Sequence, residues 1–210
     1  FLAVFMADNN YDVKRVIELI ATSKAYQRRV VPMDQSMDAK GNFIFRGPAP
    51  KRLTAEQFCD AVWTITGAGP GKANAGLPET ITGRIKRRDA SEGPPVRASM
   101  VVSSLLMRSL GRPNREQVIT TRPNELTTLE ALTLSNGEEL TGMIQKGAAK
   151  LASERKERLV EYLYLQMLCR PPTKRELPML NAYLGSNPNQ QRIEDVLWSL
   201  LLLPEFQLVN

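Results

Sequence analysis

Apolar residues recur at helical spacing along most of this chain, and capping residues bracket many of the runs. Asp12 stands as N-cap before Val13, Val16, Ile17 and Ile20, which share one face at a 3.6-residue repeat. Ahead of it, "FLAVFMADNN" predicts a helix with Phe1 already inside it, and the chain is expected to be the C-terminal piece of a longer protein. A polar loop is expected from Pro32 to Pro50, with a short extended piece at "NFIF". In "RLTAEQFCDAVWTITG", Thr54 and Gln57 form a capping box, and Leu53 and Phe58 supply the matching hydrophobic staple. Gly67 is placed to end that helix in the left-handed conformation.

The pattern then breaks. Residues 68–96 are rich in Gly and Pro and read as a surface loop, with a short strand expected at "ETITGRIK". Ser99 to Leu110 is apolar without one period, and helix and strand both fit it; "QVITT" reads as extended. Five helices are predicted to close the chain. Thr127 caps the first, with Glu130 completing a box and Leu129 and Leu132 facing inward. The second, "GEELTGMIQKGAAKLA", is weakened by Gly142 and Gly147. "RKERLVEYLYLQMLCR" buries Leu159, Tyr162, Leu163 and Met167. After Pro171-Pro172, Thr173 and Glu176 form another box, opening a helix that Gly185 stops. The last helix repeats Ile193, Val196, Leu197, Leu200 and Leu201 at i, i+3, i+4.

The fold class is therefore mainly α: a helical bundle with a long irregular Gly/Pro-rich middle segment and at most a few short strands. Residues 1–210 read as one mainly helical domain. Within it, the loop 68–96 separates an N-terminal lobe (1–67) from a C-terminal helical lobe (97–210), and the helices from Thr127 to Leu203 are expected to pack against the one at Thr54 to Thr66. No run is long and apolar enough for a membrane-spanning helix.

Composition removes much of the usual chemistry. Histidine is absent from the 210 residues, which takes away the commonest general base and metal ligand. Cys59 and Cys169 are too far apart for a CxxC motif and are expected as buried free thiols. The net charge is +6, and it is local: nine basic residues against three acids lie between Arg84 and Arg122, a surplus equal to that of the whole chain.

Three stretches imitate functional motifs. "TITGAGPGKANAG" suggests a phosphate-binding loop, but the first glycine position is Thr66, the hydroxyl position is Ala73, and the stretch follows a helix instead of a strand. "DNNYD" opens like a calcium loop, yet the required glycine is Val13 and the bidentate acid is Leu19. "SERK" matches a Ser-x-x-Lys pair without its partner motifs. Catalytic, cofactor and metal residues are therefore assigned to none. The residues singled out as partner or anion contacts are Arg97, Arg112, Arg115 and Arg122. In "LGRPNREQVITTRP", Gly111 and Pro113 break the chain and leave backbone groups to be satisfied by something else. At least one of Arg112, Arg115 and Arg122 is expected to be buried against carbonyls or an acid, fixing this loop to the helix beginning at Thr127.

Five segments in order, "YDVKRVIELIATSKAYQ", "KRLTAEQFCDAV", "RASMVVSSLLMRSLGRPNREQVITTRPNELTTLEALTLSNGEEL", "LYLQMLCRPPTKREL" and "VLWSLLLLPEFQLV", carry a likeness. Together they resemble the C-terminal domain of unknown function of planctomycete-type cytochrome c proteins. The resemblance implies an extracytoplasmic setting, periplasmic or at the cell surface, and upstream domains or protein partners of a redox assembly. It implies haem c only in an upstream domain or partner, since no CxxCH occurs here. The leading expectation is a non-catalytic scaffold or interaction domain associated with an electron-transfer assembly. The alternative is an enzyme domain with an arginine-lined anion site at a domain junction. Nucleic-acid binding through the basic patch 84–122 ranks third, because no aromatic residue lies there to stack bases.

Overall fold

The structure, a computed structural model, describes residues 1–27, 51–76, 96–113, 127–154 and 157–209. The chain divides into two compact units, Phe1–Pro50 and Lys51–Val209. Of the expected elements, the loop 32–50 with "NFIF", the strands at "ETITGRIK" and "QVITT", most of the loop 68–96 (77–95), Arg115 and Arg122 lie outside the described residues.

In the first unit, α1 (Leu2–Asp8) begins just after Phe1, and α2 (Val13–Ala21) follows. Asn10 and Tyr11 both take positive φ in the turn between them. There the Tyr11 N–H reaches back to Met6 O (2.8 Å) and the Asn10 N–H to Ala7 O (3.1 Å), which satisfies carbonyls at the end of α1. The Asp12 carboxylate caps α2 by accepting from Lys14 N. The α2 apolar stripe is present as patterned, yet Val13, Ile17 and Ile20 are exposed.

The second unit is mainly α. It comprises β1 (Lys51–Arg52), α3 (Ala55–Thr66), a 3-10 turn (Ala98–Met100), α4 (Leu105–Ser109), α5 (Thr128–Asn136), α6 (Glu138–Glu154), α7 (Leu159–Leu168), α8 (Glu176–Leu184), α9 (Gln190–Leu201), α10 (Pro204–Gln207) and β2 (Leu208–Val209). The β strands form a two-stranded antiparallel ladder, Lys51 opposite Val209 and Arg52 opposite Leu208. The unit starts at Lys51, so α3 belongs with the later helices and not with an N-terminal lobe ending at 67. The reason is burial: Phe58, Cys59, Val62 and Trp63 on α3 enter the same core as α6, α7 and α9.

α9 supplies the centre of that core. All five apolar positions patterned on it, Ile193, Val196, Leu197, Leu200 and Leu201, are buried, each contributing about 1.5–3 kcal/mol through area removed from water. α6 packs against both α9 and α3, and its two glycines have different environments. An added Cβ at Gly147 would meet Thr66 of α3 at 2.8–2.9 Å, so the crossing of the two helices depends on that glycine. Gly142 faces open space, with nothing within 4 Å of an added Cβ. There glycine only loosens the helix, and Gly142→Ala is expected to stabilise by about 0.5–1 kcal/mol, read as a higher urea midpoint at unchanged m-value.

Several expectations on the short helices need correction. Leu129 and Leu132 are exposed, because α5 buries Glu130, Thr133 and Leu134 instead. Glu130 does not complete a capping box: the Thr127 hydroxyl accepts from Glu130 N (3.1 Å), but the Glu130 carboxylate turns inward to Arg52. At Thr54 the box is complete in both directions, and Gly67 ends α3 at φ 68° with its N–H on Trp63 O. Thr173 and Glu176 exchange both box hydrogen bonds (2.6 and 3.2 Å), although α8 is regular only from Glu176. Tyr162 is only half-buried, while Tyr164 of the same helix is buried. Cys169 is exposed, not buried. The helix ends at Leu168 and Cys169 turns left-handed (φ 54°), so the apolar period no longer carries it into the core.

Candidate functional site

The sequence between Ser99 and Leu110 resolves into a 3-10 turn and the short helix α4, and the end of α4 places the most informative arginine. Gly111 (φ 84°) closes α4 in the left-handed conformation, with its N–H on Arg108 O (3.0 Å) and the Arg112 N–H on Met107 O (2.9 Å). This helix-ending motif turns Arg112 back against the protein. Its Nη1 donates to Ala98 O at 2.8 Å and lies 2.9 Å from Met107 Sδ, and Nη2 reaches Ser99 O at 3.4 Å. Its Nε lies 3.5 Å from Glu56 Oε1 on α3, with 14% and 19% of the two side chains exposed.

The expectation of a buried, paired arginine in this segment therefore holds for Arg112, but its anchor differs. It pins the chain to the 3-10 turn and to α3, and not to the helix that begins after Thr127. Replacing the fork by a point charge would satisfy fewer of these carbonyls. Arg112→Lys is expected to destabilise by about 1–3 kcal/mol, measured as a shift in urea midpoint.

The same seam is held from its other side. Asp60 on α3 accepts from Ala98 N (2.7 Å), and Arg97, with 74% of its side chain exposed, reaches the other Asp60 oxygen at 3.3 Å. The N–H groups of Asn74 and Ala75 both point to Met100 O, and the Asn74 side-chain Oδ1 accepts from Val102 N at 2.7 Å. In a phosphate loop those N–H groups would have to face the ligand. Here Asn74 and Ala75 of "TITGAGPGKANAG" give them to a protein carbonyl, and Gly67 serves as the α3 cap.

Two further arginines carry similar knots that the pattern of the sequence did not single out. Arg52 forks onto both oxygens of Glu130, one contact at 2.8 Å, joining residues 78 apart in the chain. Beside them Leu53, Phe58, Leu110 and Gln207 line a depression of about 10 Å³, on the order of one water molecule. Arg170 grips two carboxylates at once: Glu176 through Nη1 and Nη2 (both 3.0 Å), and Glu205 through Nε and Nη2 (2.7 and 2.8 Å). Its guanidinium also lies 5.2 Å from the centre of the Tyr164 ring. The hydrogen bonds from Arg170 and Thr173 hold the Glu176 carboxyl down at about 2, and Arg170 lowers Glu205 as well. The separations, 6 residues to Glu176 and 35 to Glu205, follow no helical period. The only available hint was the Thr173–Glu176 box, which places one of the two acids.

The two thiols differ sharply. Burial, reinforced by the Glu139 and Asp60 carboxylates and opposed by Arg112, pushes the Cys59 thiol up to about 12. Cys169 is exposed. A thiol-alkylating reagent is expected to add one label to the folded protein, at the exposed Cys169, and two after denaturation. Intact-mass spectrometry with peptide mapping reads both. Among the described residues no helix is long and apolar enough to cross a membrane, and no three acids or thiols converge as a metal site.

These observations define a mainly α domain whose turns and helix ends are held by arginine forks. The family described as "Protein of unknown function (DUF1553)", PSD1, matches residues 1–184, and the chain belongs to it. No curated protein and no solved structure matches the chain.

Proposed function

We propose that this domain is a non-catalytic scaffold or interaction domain, associated with an extracytoplasmic cytochrome or electron-transfer assembly. The observation that carries the scaffold reading is the commitment of the arginine forks. Arg52, Arg112 and Arg170, three arginines among the described residues whose forks could grip an anion, each hold carboxylates or carbonyls of this chain. An arginine already bridging its own helices is a staple. The redox neighbourhood rests on the ordered likeness of five segments to the last domain of planctomycete-type cytochrome c proteins, a family setting in which haem sits upstream. Purifying the protein with whatever it binds in its own cells, and measuring mass and haem content, tests both parts. Co-purification of a haem-bearing polypeptide is expected. Substrate turnover by the isolated chain would remove the scaffold reading, and a haem-free complex would remove the redox association.

A further inference from the structure

The segment Pro204–Val209 sits on the second unit in the manner of a bound peptide. It leaves α9 through the Leu202–Leu203 turn, and each of its next residues meets a different receiving group. Glu205 docks on the Arg170 fork. Phe206 meets Phe58 edge to face, ring centres 5.7 Å apart and planes at 81°. The Gln207 carbonyl accepts from Leu53 N at 2.8 Å, and Leu208 and Val209 pair with Arg52 and Lys51. Acid, aromatic ring, a two-residue strand and a basic rim make up the attachment: the acid and the ring stand on the helical turn α10, and only Leu208 and Val209 pair as a strand, as an added strand would.

The attachment is also slight. The ladder is two residues long, Phe206 is the one buried side chain of α10, and the Glu205 side chain is 47% exposed. Segments with so few buried contacts open locally at a small fraction of the global unfolding free energy. Opening would uncover Phe58 and free the Leu53 N–H, with Arg170 and Lys51 at the rim. Glu176 stays on Arg170, but the Nε and Nη2 donors that Glu205 vacates, beside Lys51, favour an acidic occupant.

We propose that Lys51–Leu53, Phe58 and Arg170 form an acceptor groove for a partner segment that presents an acid followed by an aromatic residue on one helical turn and then a short extended apolar stretch. Pro204–Val209 occupies that groove in cis. The proposal rests on the interaction-domain reading only in that a groove needs a partner, and its contacts stand apart from any redox setting.

The test uses the full chain carrying Glu205→Gln and Phe206→Ala, which weakens the occupant and leaves Arg170, Phe58 and Leu53 in place. Two quantities are read: hydrogen exchange at the Leu53 amide, and binding of a labelled peptide Leu-Pro-Glu-Phe-Gln-Leu-Val by fluorescence anisotropy. The Leu53 amide is expected to exchange at least about 10-fold faster than in the parent, while amides of α6 and α9 keep the parent's rates. The peptide is expected to bind the variant at least about 10-fold more tightly than the parent, where the tethered segment competes at an effective concentration near millimolar. A peptide with lysine for its glutamate and alanine for its phenylalanine should lose that binding. Unchanged Leu53 exchange, or exchange that rises equally in α6 and α9, overturns the proposal, as does an opened groove that binds both peptides alike or neither. If the double variant fails to fold, Glu205→Gln alone is read by the same two measurements. Turnover by the isolated chain would end the non-catalytic reading without touching these results, and failure of the peptide arm would leave that reading intact.

Discussion

Arg52→Met is expected to cost about 3–5 kcal/mol, because it leaves a buried carboxylate with no counter-charge. Glu130 has 5% of its side chain exposed, and its two oxygens are both engaged by the Arg52 fork. Removing the fork strands that charge on the buried face of α5, which it shares with Thr133 and Leu134. The cost measures the stranded charge and not the net worth of the pair. Hence Arg52→Met/Glu130→Leu should recover most of the loss, since apolar replacement of a whole buried ion pair is often neutral. Urea unfolding of the parent, both single variants and the double variant closes the cycle. A double variant as unstable as Arg52→Met would show that Arg52 acts through β1, where it pairs with Leu208, and not through Glu130.

This pair also shows where sequence reasoning stops. Local signals were legible because their physics is local. Thr54 and Gln57 are three residues apart and had to meet if a helix formed, and the repeat on α9 could face only one way. Arg52 and Glu130 are joined across 78 residues, and nothing in either neighbourhood announces the other. Glu130 stands where a box would want it, so local reading assigned it to Thr127, and long-range charge pairing overrode half of that assignment. The inversion of Leu129 and Leu132 follows from it: turning Glu130 inward turns its apolar neighbours out. Cys169 failed for a related reason, since a period says nothing about where the helix that carries it ends.

The arginine segment was readable further than its neighbours because it posed an accounting question. Gly111 and Pro113 forbid a continuing helix, so carbonyls nearby needed donors, and a planar five-donor side chain stood adjacent. Periodicity could not say which helix would receive it. The Gly111 closure decided that by returning Arg112 toward Ala98 and Glu56.

The same limit governs the two glycines of α6, and it makes the second large prediction. In sequence both only weaken a helix, by about 1 kcal/mol each relative to alanine. In the structure Gly147 lies where α6 crosses α3, with an added Cβ 2.9 Å from Thr66 Cα and Cβ and 2.8 Å from its Cγ2. A flexible side chain could move aside, but a Cα cannot move without its helix. Thr66 is itself fixed, 3% exposed with its hydroxyl donating to Val62 O at 2.7 Å. Gly147→Ala must therefore part the two helices or bend one of them, and overpacking of this kind should cost about 3 kcal/mol, outweighing the roughly 1 kcal/mol gained in propensity. The gap disturbs Val62 and Trp63 of α3 and Ile144 and Leu151 of α6, all of which enter the shared core. Shortening the obstructing residue should relieve part of the clash: Thr66→Gly is expected to recover stability in the Gly147→Ala background, whereas in the parent it only destabilises, losing the hydrogen bonds with Val62 O and Ala68 N and a buried methyl. Thermal and urea unfolding of the four proteins would read the coupling. A Gly147→Ala protein as stable as Gly142→Ala would mean that the crossing is looser than 2.9 Å implies.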